Sequence, residues 1–226
     1  MTQVWLLASV CYGLFGPTQI EWRLRGGRSE VMRIVGGRLS GRRFGAPGGR
    51  ATRPTSDRVR EAIASALQSR GGFDDARVLD LFAGTGAFSF EALSRGASNA
   101  VLVDLDARAI GQVVQSAREL GLSAQTRTLR VNLLGEPTGA IRKIPAMEQG
   151  FTLLFADAPY AEIDAVPPLL EALIASARLT PGALVVIEHP ASHDWTWPNG
   201  LASIADYRYG QTGISLGVYA PEKGTQ

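Results

Sequence analysis

The sequence predicts an α/β fold built around an open, mostly parallel sheet. Two observations lead to this class. Between residues 77 and 190, short apolar runs bounded by turn residues alternate with segments that have the apolar periodicity of helices. Two later segments, 203–210 and 214–220, have the form of a closing antiparallel pair. The 226 residues are enough for one such domain with a sizeable core and an appendage.

The predicted elements follow one another in a regular order. Residues 33–53 are expected to form short strands and turns, because glycine and proline interrupt them repeatedly. Strands are predicted at 77–83, 100–106, 126–133, 151–159 and 183–190. Helices are predicted at 59–68, 87–95, 107–120 and 166–177. The first of these helices has Thr55 or Ser56 as a candidate cap and Asp57 in its first turn.

The charge of the chain is distributed unevenly. Residues 1–60 carry a net charge of +8, and residues 61–226 carry a net charge of −6. A basic segment on an acidic body is typical of a nucleic-acid contact, and it is equally consistent with a solvated tail. A single cysteine, Cys11, excludes a disulfide framework and fits a reducing, cytoplasmic compartment.

Residues 1–31 are predicted to be an upstream extension that takes no part in the fold. Their apolar stretch, 4–16, is shorter than the roughly 20 residues that a membrane span needs. Met32 opens a segment with the features of a protein N-terminus, so residues 1–31 are interpreted as the product of an earlier start codon. The alternative for 1–31 is a peripheral membrane anchor.

The segment LDLFAGTGAF (79–88) runs from a strand through a Gly-x-Gly turn into a helix. Gly84 and Gly86 allow a sharp turn and a close backbone approach to a ligand. A dinucleotide-binding turn favours a third glycine where this chain has Ser89. Asp80 is better suited to a cationic ligand such as S-adenosylmethionine. The alternative is a tight turn that binds no ligand.

Further polar residues follow the next strands, and ligands of parallel sheets bind beyond the carboxyl ends of the strands. Asp104 is placed to accept hydrogen bonds from two ribose hydroxyl groups, and Asp106 is expected to cap the following helix. Asn132 is a candidate hydrogen-bond partner for an adenine edge, although a turn role explains it equally well.

The segment FADAPY (155–160) places an acid, a proline-stiffened turn and an aromatic ring after a buried strand. A conjugated amino group becomes a better nucleophile when acceptors are directed at its hydrogens. Asp157 and the carbonyl of Ala158 are predicted to be those acceptors, beside Pro159. Tyr160 is predicted to stack on a planar base, which must first be unstacked. The pattern is short enough to occur by chance in a loop.

A cluster of arginines lies between residues 33 and 60, where Asp57 is the only acid. Arginine suits bidentate phosphate contacts and base stacking. The candidates for contact with RNA are Arg33, Arg38, Arg42, Arg43, Arg53, Arg58 and Arg60. Arg58 and Arg60 have a structural alternative, which is pairing with Asp57 and Glu61. The two histidines, His189 and His193, have too few neighbouring ligand types for a metal site.

Together these residues resemble the RsmD-type 16S rRNA guanine-N2 methyltransferases, from Met32 to about Tyr219. The resemblance rests on MRIVGG (32–37), GRRF (41–44), RPTSDRVREAI (53–63), LDLFAGTGAFSFEALSRGA (79–97), VDLD (103–106) and DAPY (157–160). It implies a Rossmann-like class I methyltransferase fold with a seven-stranded sheet and a C-terminal antiparallel hairpin. It also implies S-adenosylmethionine as methyl donor and a guanine of small-subunit rRNA as acceptor.

The resemblance assigns roles to individual positions. The cofactor is expected to lie against Asp80, Phe82, Ala83, Gly84, Thr85, Gly86, Asp104, Leu105 and Asn132. The target base is expected against Asp157, Ala158, Pro159 and Tyr160. We expect an RNA-binding arm at 32–53, a methyltransferase domain at 54–220, a tail at 221–226, and a monomer without membrane contact.

The chain departs from the family at Ala158, where members usually carry a first proline. The carbonyl acceptor survives this change, but the fixed φ of proline is lost, at a cost of about 1 kcal/mol in loop pre-organisation. Two alternatives therefore stay open. One is another amino methyltransferase that acts on DNA adenine or protein glutamine, and the other is a non-catalytic RNA-binding module with a decayed DAPY site.

Overall fold

The fold was analysed in a computed structural model that describes residues 31–45 and 57–221. Its centre is a seven-stranded sheet in the order β5-β4-β3-β6-β7-β9-β8. The strands are β3 (Arg77–Leu81), β4 (Asn99–Asp104), β5 (Thr126–Arg130), β6 (Phe151–Ala156), β7 (Leu179–Pro190), β8 (Leu201–Tyr209) and β9 (Thr212–Tyr219). β3 to β7 are parallel, and β8 and β9 form an antiparallel hairpin against β7. The predicted fold class is therefore confirmed.

Helices cover both faces of the sheet, because the apolar side chains of successive strand residues alternate between two cores. Val78, Leu102 and Phe155 belong to the first core, and Leu79, Val103 and Leu154 belong to the second. The first core is covered by α1 (Asp57–Gln68), α2 (Ala87–Arg95) and α3 (Ala107–Leu120), and the second by α4 (Pro137–Arg142) and α5 (Val166–Ala175). This layering leaves the carboxyl edge of the sheet for a ligand.

The observed elements differ from the predicted ones mainly at their ends. β3 stops at Leu81, two residues early, because Phe82 adopts a left-handed φ of 63°. α5 ends at Ala175, and the left-handed Ala177 lies just beyond it. β7 begins at Leu179, earlier than the apolar run that predicted it. Its first residues include Pro181 and Gly182, and its pairing with β6 is irregular there.

The short helix α4 was missed by the periodicity argument, because six residues are too few to show a helical period. Its start nevertheless has the usual signals. The carboxylate of Glu136 accepts hydrogen bonds from the amides of Thr138 and Gly139, and Pro137 occupies the first helical turn.

The basic N-terminal segment contributes a two-stranded hairpin, β1 (Val31–Arg33) with β2 (Arg43–Gly45). It packs on the outside of α2 and α3 and inserts Met32, Ile34, Leu39 and Phe44 into the first core. The ring of Phe44 meets Phe90 edge to face at 5.2 Å. The described part of this segment is therefore fixed to the domain.

Polar contacts to α2 hold the connection between β1 and β2 in place. The carboxylate of Glu91 accepts the amides of Val35 and Gly36, each at 2.8 Å. The hydroxyl of Ser94 donates to the carbonyl of Gly36 and accepts the amide of Leu39. Glu91 and Ser94 are both buried, so these bonds are strong attachments.

Several predictions fall outside the described residues. These are the extension at 1–30, the helix caps Thr55 and Ser56, Arg53, and all of the tail at 221–226 except Pro221. Val31 was assigned to the extension, but it pairs with Gly45 as the first residue of β1, which corrects that boundary by one residue. Among the described residues, none of the helices has both the length and the apolar character for crossing a membrane.

Candidate active site

The Gly-rich turn connects β3 to α2 through three residues in left-handed conformations. These are Phe82 at φ 63°, Gly84 at φ 52° and Gly86 at φ 74°. A side chain at Gly86 is disfavoured for a second reason, since a Cβ there would lie 3.0 Å from the side chain of Leu102. Phe82 is not a glycine, so its left-handed conformation stores strain of the kind that is concentrated at ligand sites.

Three backbone amides of this turn donate hydrogen bonds to acceptors within the protein. The Ala83 amide donates to the carbonyl of Val103, the Gly84 amide to the carboxylate of Asp104, and the Gly86 amide to the carbonyl of Ala83. A pyrophosphate would require free amides at this position. The turn is therefore poorly suited to a dinucleotide, while Thr85 and Phe82 stay partly exposed at its outer side.

Asp80 lies at the end of β3, buried beneath the turn. Its carboxylate accepts a 2.7 Å hydrogen bond from the hydroxyl of Ser89 on α2. Burial raises the pKa of Asp80 to about 7, although the Ser89 hydroxyl lowers it and the charge of Asp104 raises it further. Such a carboxyl group is stabilised in its ionised form by a cation placed beside it.

Asp104 ends β4 on the same face of the sheet, and the two oxygens of its carboxylate accept different amides. One oxygen accepts Gly84 and the other accepts Asp106, both at 2.8 Å. Asp106 caps α3 by accepting the amide of Arg108, as predicted. Each carboxylate oxygen of Asp104 has a second lone pair, so it can still accept a hydroxyl group. The neighbouring Leu105 is exposed over 49% of its surface, which leaves an apolar side chain open at this edge.

Asn132 lies after β5, and its side-chain oxygen accepts the amide of Leu134 at 3.0 Å. This bond closes a local turn, which is the alternative role that the sequence allowed for it. Leu134 is exposed over 42% of its surface.

Asp157 follows β6, one strand away from Asp80. The register pairs Asp80 with Phe155 on β3 and β6, and Ala156 with Ile187 on β6 and β7. Because side chains alternate along each strand, Asp80, Asp157 and Glu188 face the same side of three adjacent strands. Glu188 is buried, with 6% of its surface exposed.

These carboxyl groups influence one another. Burial raises the pKa of Asp157 well above its usual value, and the charges of Glu188 and then Asp80 raise it further. The carboxyl group of Asp157 is therefore harder to ionise than that of an exposed aspartate. Asp104 adds a fourth acid at the end of β4, and the four form an acidic row along the carboxyl edge.

The rest of the DAPY segment leaves the strand and is held by contacts with other elements. Ala158 is fully buried in the second core, while Pro159 is exposed and precedes a short 3₁₀-helix, Tyr160–Ala165. The hydroxyl of Tyr160 forms a 2.9 Å hydrogen bond with the hydroxyl of Thr212 at the start of β9. The ring of Tyr160 is thus fixed at the edge of the site.

The predicted RNA contacts differ in their availability. Arg60 is 1% exposed, and its guanidinium donates to the carbonyl of Arg33 and to Asp57. A buried guanidinium offers no surface to a phosphate, so the prediction of Arg60 as an RNA contact is corrected to a structural role. The predicted pairing of Arg60 with Asp57 is confirmed, at 2.7 Å.

The remaining described arginines of this set are exposed. Arg33 pairs with Asp57, Arg38 donates to the side chain of Gln125, and Arg42 donates to the carbonyl of Glu119. Within the described part of the chain, the side chains of Arg43 and Arg58 make no hydrogen bond or ion pair. These two side chains are the most available to an external phosphate.

Three residues of the site were not singled out from the sequence. Glu188 has the same signal as Asp80 and Asp157, an acid near the carboxyl end of a buried strand. Ser89 was considered only as a missing glycine, although its hydroxyl holds Asp80. Thr212 gave no local signal, because its contact with Tyr160 spans 52 residues.

Within the described ranges, no three His, Cys, Asp or Glu side chains are grouped in a way that could hold a metal ion. His189 instead bonds to the hydroxyl of Ser215 at 3.0 Å and stacks near Trp195.

Comparison with known proteins identifies relatives of the whole domain. The family described as "Conserved hypothetical protein 95" matches residues 32–218. YlbH of Bacillus subtilis, a presumed rRNA methyltransferase, is 33% identical over 82% of this chain and 97% of its own length. The ribosomal RNA small subunit methyltransferase D of Escherichia coli is 45% identical over 37% of this chain and 41% of its own length.

A solved structure has the same architecture. The presumed methyltransferase yhhF of Escherichia coli is 27% identical, covers 85% of this chain and 100% of its own, and has a TM-score of 0.71. The predicted resemblance and the predicted methyltransferase fold are confirmed. Because the relatives are methyltransferases of this family, the prediction of S-adenosylmethionine as the cofactor is also confirmed.

Proposed function

Because this chain belongs to the family described as "Conserved hypothetical protein 95", we propose that it methylates the exocyclic N2 amino group of a guanine in small-subunit rRNA. The methyl donor is S-adenosylmethionine. The RNA substrate is supported by the names of the relatives from Bacillus subtilis and Escherichia coli, and the choice of base by the site.

The observation that carries the choice of base is the pair of acids at the ends of β6 and β7. The N1–H and N2–H₂ groups of guanine are neighbouring donors, whereas adenine combines its N6 donor with an N1 acceptor. When they are ionised, the carboxylates of Asp157 and Glu188 can only accept hydrogen bonds. An edge made of acceptors matches the guanine edge and opposes the N1 lone pair of adenine.

The residues of the acidic row suit the proposed cofactor. Asp80 and Asp104 flank the Gly-rich turn, and their charge stabilises a cationic ligand. Asp104 can accept ribose hydroxyls, and the exposed Leu105 offers an apolar surface to a flat adenine ring. When bound, S-adenosylmethionine supplies a methyl group on a positively charged sulfur, which is an electrophile for an amine.

The protein residues then act on the amine. Asp157 and the carbonyl of Ala158 accept hydrogen bonds from the two N2 hydrogens, which favours a tetrahedral nitrogen with a directed lone pair. Transfer of the methyl group to the nitrogen would leave S-adenosylhomocysteine, and Asp157 would take up the N2 proton that the nitrogen loses. A carboxyl group with a raised pKa is a suitable acceptor for that proton. Tyr160 holds the plane of the base by stacking.

The proposed RNA surface lies on the hairpin and the first turn of α1. Arg43 and Arg58 contribute free guanidinium groups, and Arg33, Arg38 and Arg42 add exposed charge beside them. We assign the segment 32–53, with Arg53, to RNA binding, and residues 54–220 to the methyltransferase domain. The protein is proposed to act as a monomer in the cytoplasm, where ribosomal subunits assemble.

The test is methyl transfer from labelled S-adenosylmethionine to small ribosomal subunits that lack the native modification, followed by nuclease digestion and identification of the methylated nucleoside. We expect N2-methylguanosine at one position. Methyl label on DNA adenine or on protein glutamine would contradict the substrate. Absence of S-adenosylmethionine binding in calorimetry would instead favour a non-catalytic RNA-binding module.

A matched pair of variants tests the RNA surface. Arg43→Ala with Arg58→Ala removes two free cations, so we expect weaker binding of the subunit and a reduced dependence of the affinity on salt concentration. Arg118→Ala is the control, because Arg118 is an exposed arginine on α3 whose side chain makes no hydrogen bond or ion pair in the described ranges. Equal loss of affinity in both variants would remove the proposed surface.

A further inference from the structure

We propose that Thr212 is a positioning residue, which fixes the ring of Tyr160 in the orientation needed for stacking on the target base. This inference rests on the proposed function and extends the base site to β9. It starts from the 2.9 Å hydrogen bond between the two hydroxyl groups.

Thr212 is held by its strand and cannot follow movements of the tyrosine. β9 lies between β7 and β8, and the register pairs Thr212 with Pro190 on one side and with Tyr209 on the other. The amide of Ala191 donates to the carbonyl of Gln211 at 2.9 Å, which also ties the preceding turn to the loop after β7. The branched side chain of threonine has few rotamers, so its hydroxyl has a fixed position.

Tyr160, by contrast, lies on an irregular segment and not on a strand of the sheet. It follows the exposed Pro159 and starts a 3₁₀-helix whose interior is irregular at Glu162, with φ −116°. Its ring is half-buried and turns about two side-chain bonds. A hydrogen bond at the far end of the ring restricts the first rotation and so fixes the direction of the ring. The second rotation leaves the hydroxyl oxygen in place, but the phenolic hydroxyl bonds best in the plane of the ring, so the bond also favours one plane for the base.

The position of this bond explains why Ala158 is compatible with an ordered site. A proline at 158 would restrict the backbone before Tyr160, and this chain does not have that restriction. Instead, Ala158 is buried in the second core, with 1% of its surface exposed, and Tyr160 is tied to β9. The segment is therefore fixed at both ends by tertiary contacts.

The hydroxyl bond has little to contribute to folding. Both side chains are only partly buried, so water can replace either partner. Loss of the bond is therefore expected to change the orientation of the ring more than the stability of the domain.

The experiment compares wild type with Thr212→Val, Thr212→Ser, Tyr160→Phe and the double variant Thr212→Val with Tyr160→Phe. Valine keeps the shape of threonine without the hydroxyl, and serine keeps the hydroxyl. The measurements are kcat on unmodified small ribosomal subunits, KM for S-adenosylmethionine and the thermal midpoint.

We expect Thr212→Val to lower kcat about threefold to tenfold, the range of one neutral hydrogen bond. KM for S-adenosylmethionine and the thermal midpoint are expected to stay unchanged, because the cofactor side lies on β3 and β4. Thr212→Ser is expected to retain most of kcat. In the Tyr160→Phe background, Thr212→Val is expected to have no further effect, since the bond is already absent.

An unchanged kcat in Thr212→Val, or an equal and additive loss in the Tyr160→Phe background, would overturn the inference while leaving the proposed function intact. Wild-type protein that transfers no methyl group to the subunit would overturn both. A fall in the thermal midpoint that accounts for the loss of kcat would reduce Thr212 to a structural residue.

Discussion

The two halves of the carboxyl edge are held in place by different means. On the cofactor half, the turn from Phe82 to Gly86 is fixed by its own backbone, through left-handed residues and amides that donate to Asp104 and to nearby carbonyls. On the base half, the DAPY segment is fixed by side chains, through burial of Ala158 and the bond between Tyr160 and Thr212. A backbone constraint is visible in sequence, whereas a tertiary constraint is not.

This comparison predicts that the two halves fail separately. The largest effect is expected for Asp157→Asn, which removes charge from the base half without changing its shape. We expect methyl transfer to fall by at least about 100-fold, as for loss of one group that stabilises a transition state. Binding of S-adenosylmethionine, measured by calorimetry, is expected to stay within about twofold of wild type.

Asp164→Asn is the control for this variant, because Asp164 is an exposed acid on the neighbouring 3₁₀-helix. Its activity is expected to equal that of wild type. Full activity of Asp157→Asn would contradict the proposed role of this acid in methyl transfer.

The next effect concerns the backbone of the cofactor half. Gly86→Ala places a Cβ 3.0 Å from Leu102 at a left-handed φ of 74°. We expect a loss of about 1–3 kcal/mol in the free energy of unfolding, measured with urea, together with weaker cofactor binding.

Gly111→Ala provides the matched control, since Gly111 lies in α3 and a Cβ there meets no atom within 4 Å. We expect it to stabilise the protein by about 0.5–1 kcal/mol through helix propensity. If Gly86→Ala were as stable as Gly111→Ala, the turn would be more adaptable than its geometry indicates.

A third prediction concerns pH and the cofactor half. The pKa of Asp80 is raised to about 7, so the folded protein without cofactor holds this proton more tightly than the unfolded chain. The contribution of Asp80 to folding stability is therefore lost as pH rises from about 4 through 7. A cationic ligand favours the ionised form, so its affinity is expected to rise about tenfold from pH 6 to pH 8.

Calorimetry in buffers of different ionisation enthalpy measures the effect, because binding near pH 7 is expected to release about half a proton. Asp80→Asn is the comparison variant, and its affinity is expected to be weaker and nearly independent of pH over this range. A wild-type affinity that is the same at pH 6 and pH 8 would contradict the role of Asp80.

The smallest effect is expected at Ala158. Ala158→Pro adds the backbone restriction of a proline at this position, and it is expected to raise kcat by no more than about fivefold. The gain is limited because the segment is already anchored by Thr212. A much larger gain would show that the base half of the present chain is poorly ordered.

The same contrast explains how much of the molecule was predictable. The alternation of strands and helices, the glycines of the turn and the acids after Leu79 and Ala156 follow from local patterns, and the predicted sheet and its order of elements agree with the structure. The ends of β3 and β6 did not follow, because a left-handed Phe82 and a turn at Asp157 interrupt runs that stay apolar. The apolar pattern of a sequence indicates which residues are buried, but it does not indicate where the hydrogen bonding between strands ends.

Side-chain partners were the least predictable part of the site. Arg60 lies in an arginine-rich segment, which predicts an RNA contact, yet the fold buries it and directs its guanidinium to the carbonyl of Arg33 in β1. Ser89 and Asp80 are nine residues apart on different elements, so only the fold brings the hydroxyl to the carboxylate. The roles of the remaining predicted site residues stay predictions until the variants are measured.

The attachment of the hairpin has a consequence for sequence divergence. Glu91 and Ser94 hold it through the amides of Val35, Gly36 and Leu39, and backbone amides are present whatever side chains the hairpin carries. Outside its core residues and the close-packed Gly36–Gly37, the hairpin can therefore change its exposed side chains without losing its anchor. Selection can thus adapt the surface offered to a partner while α2 stays constant.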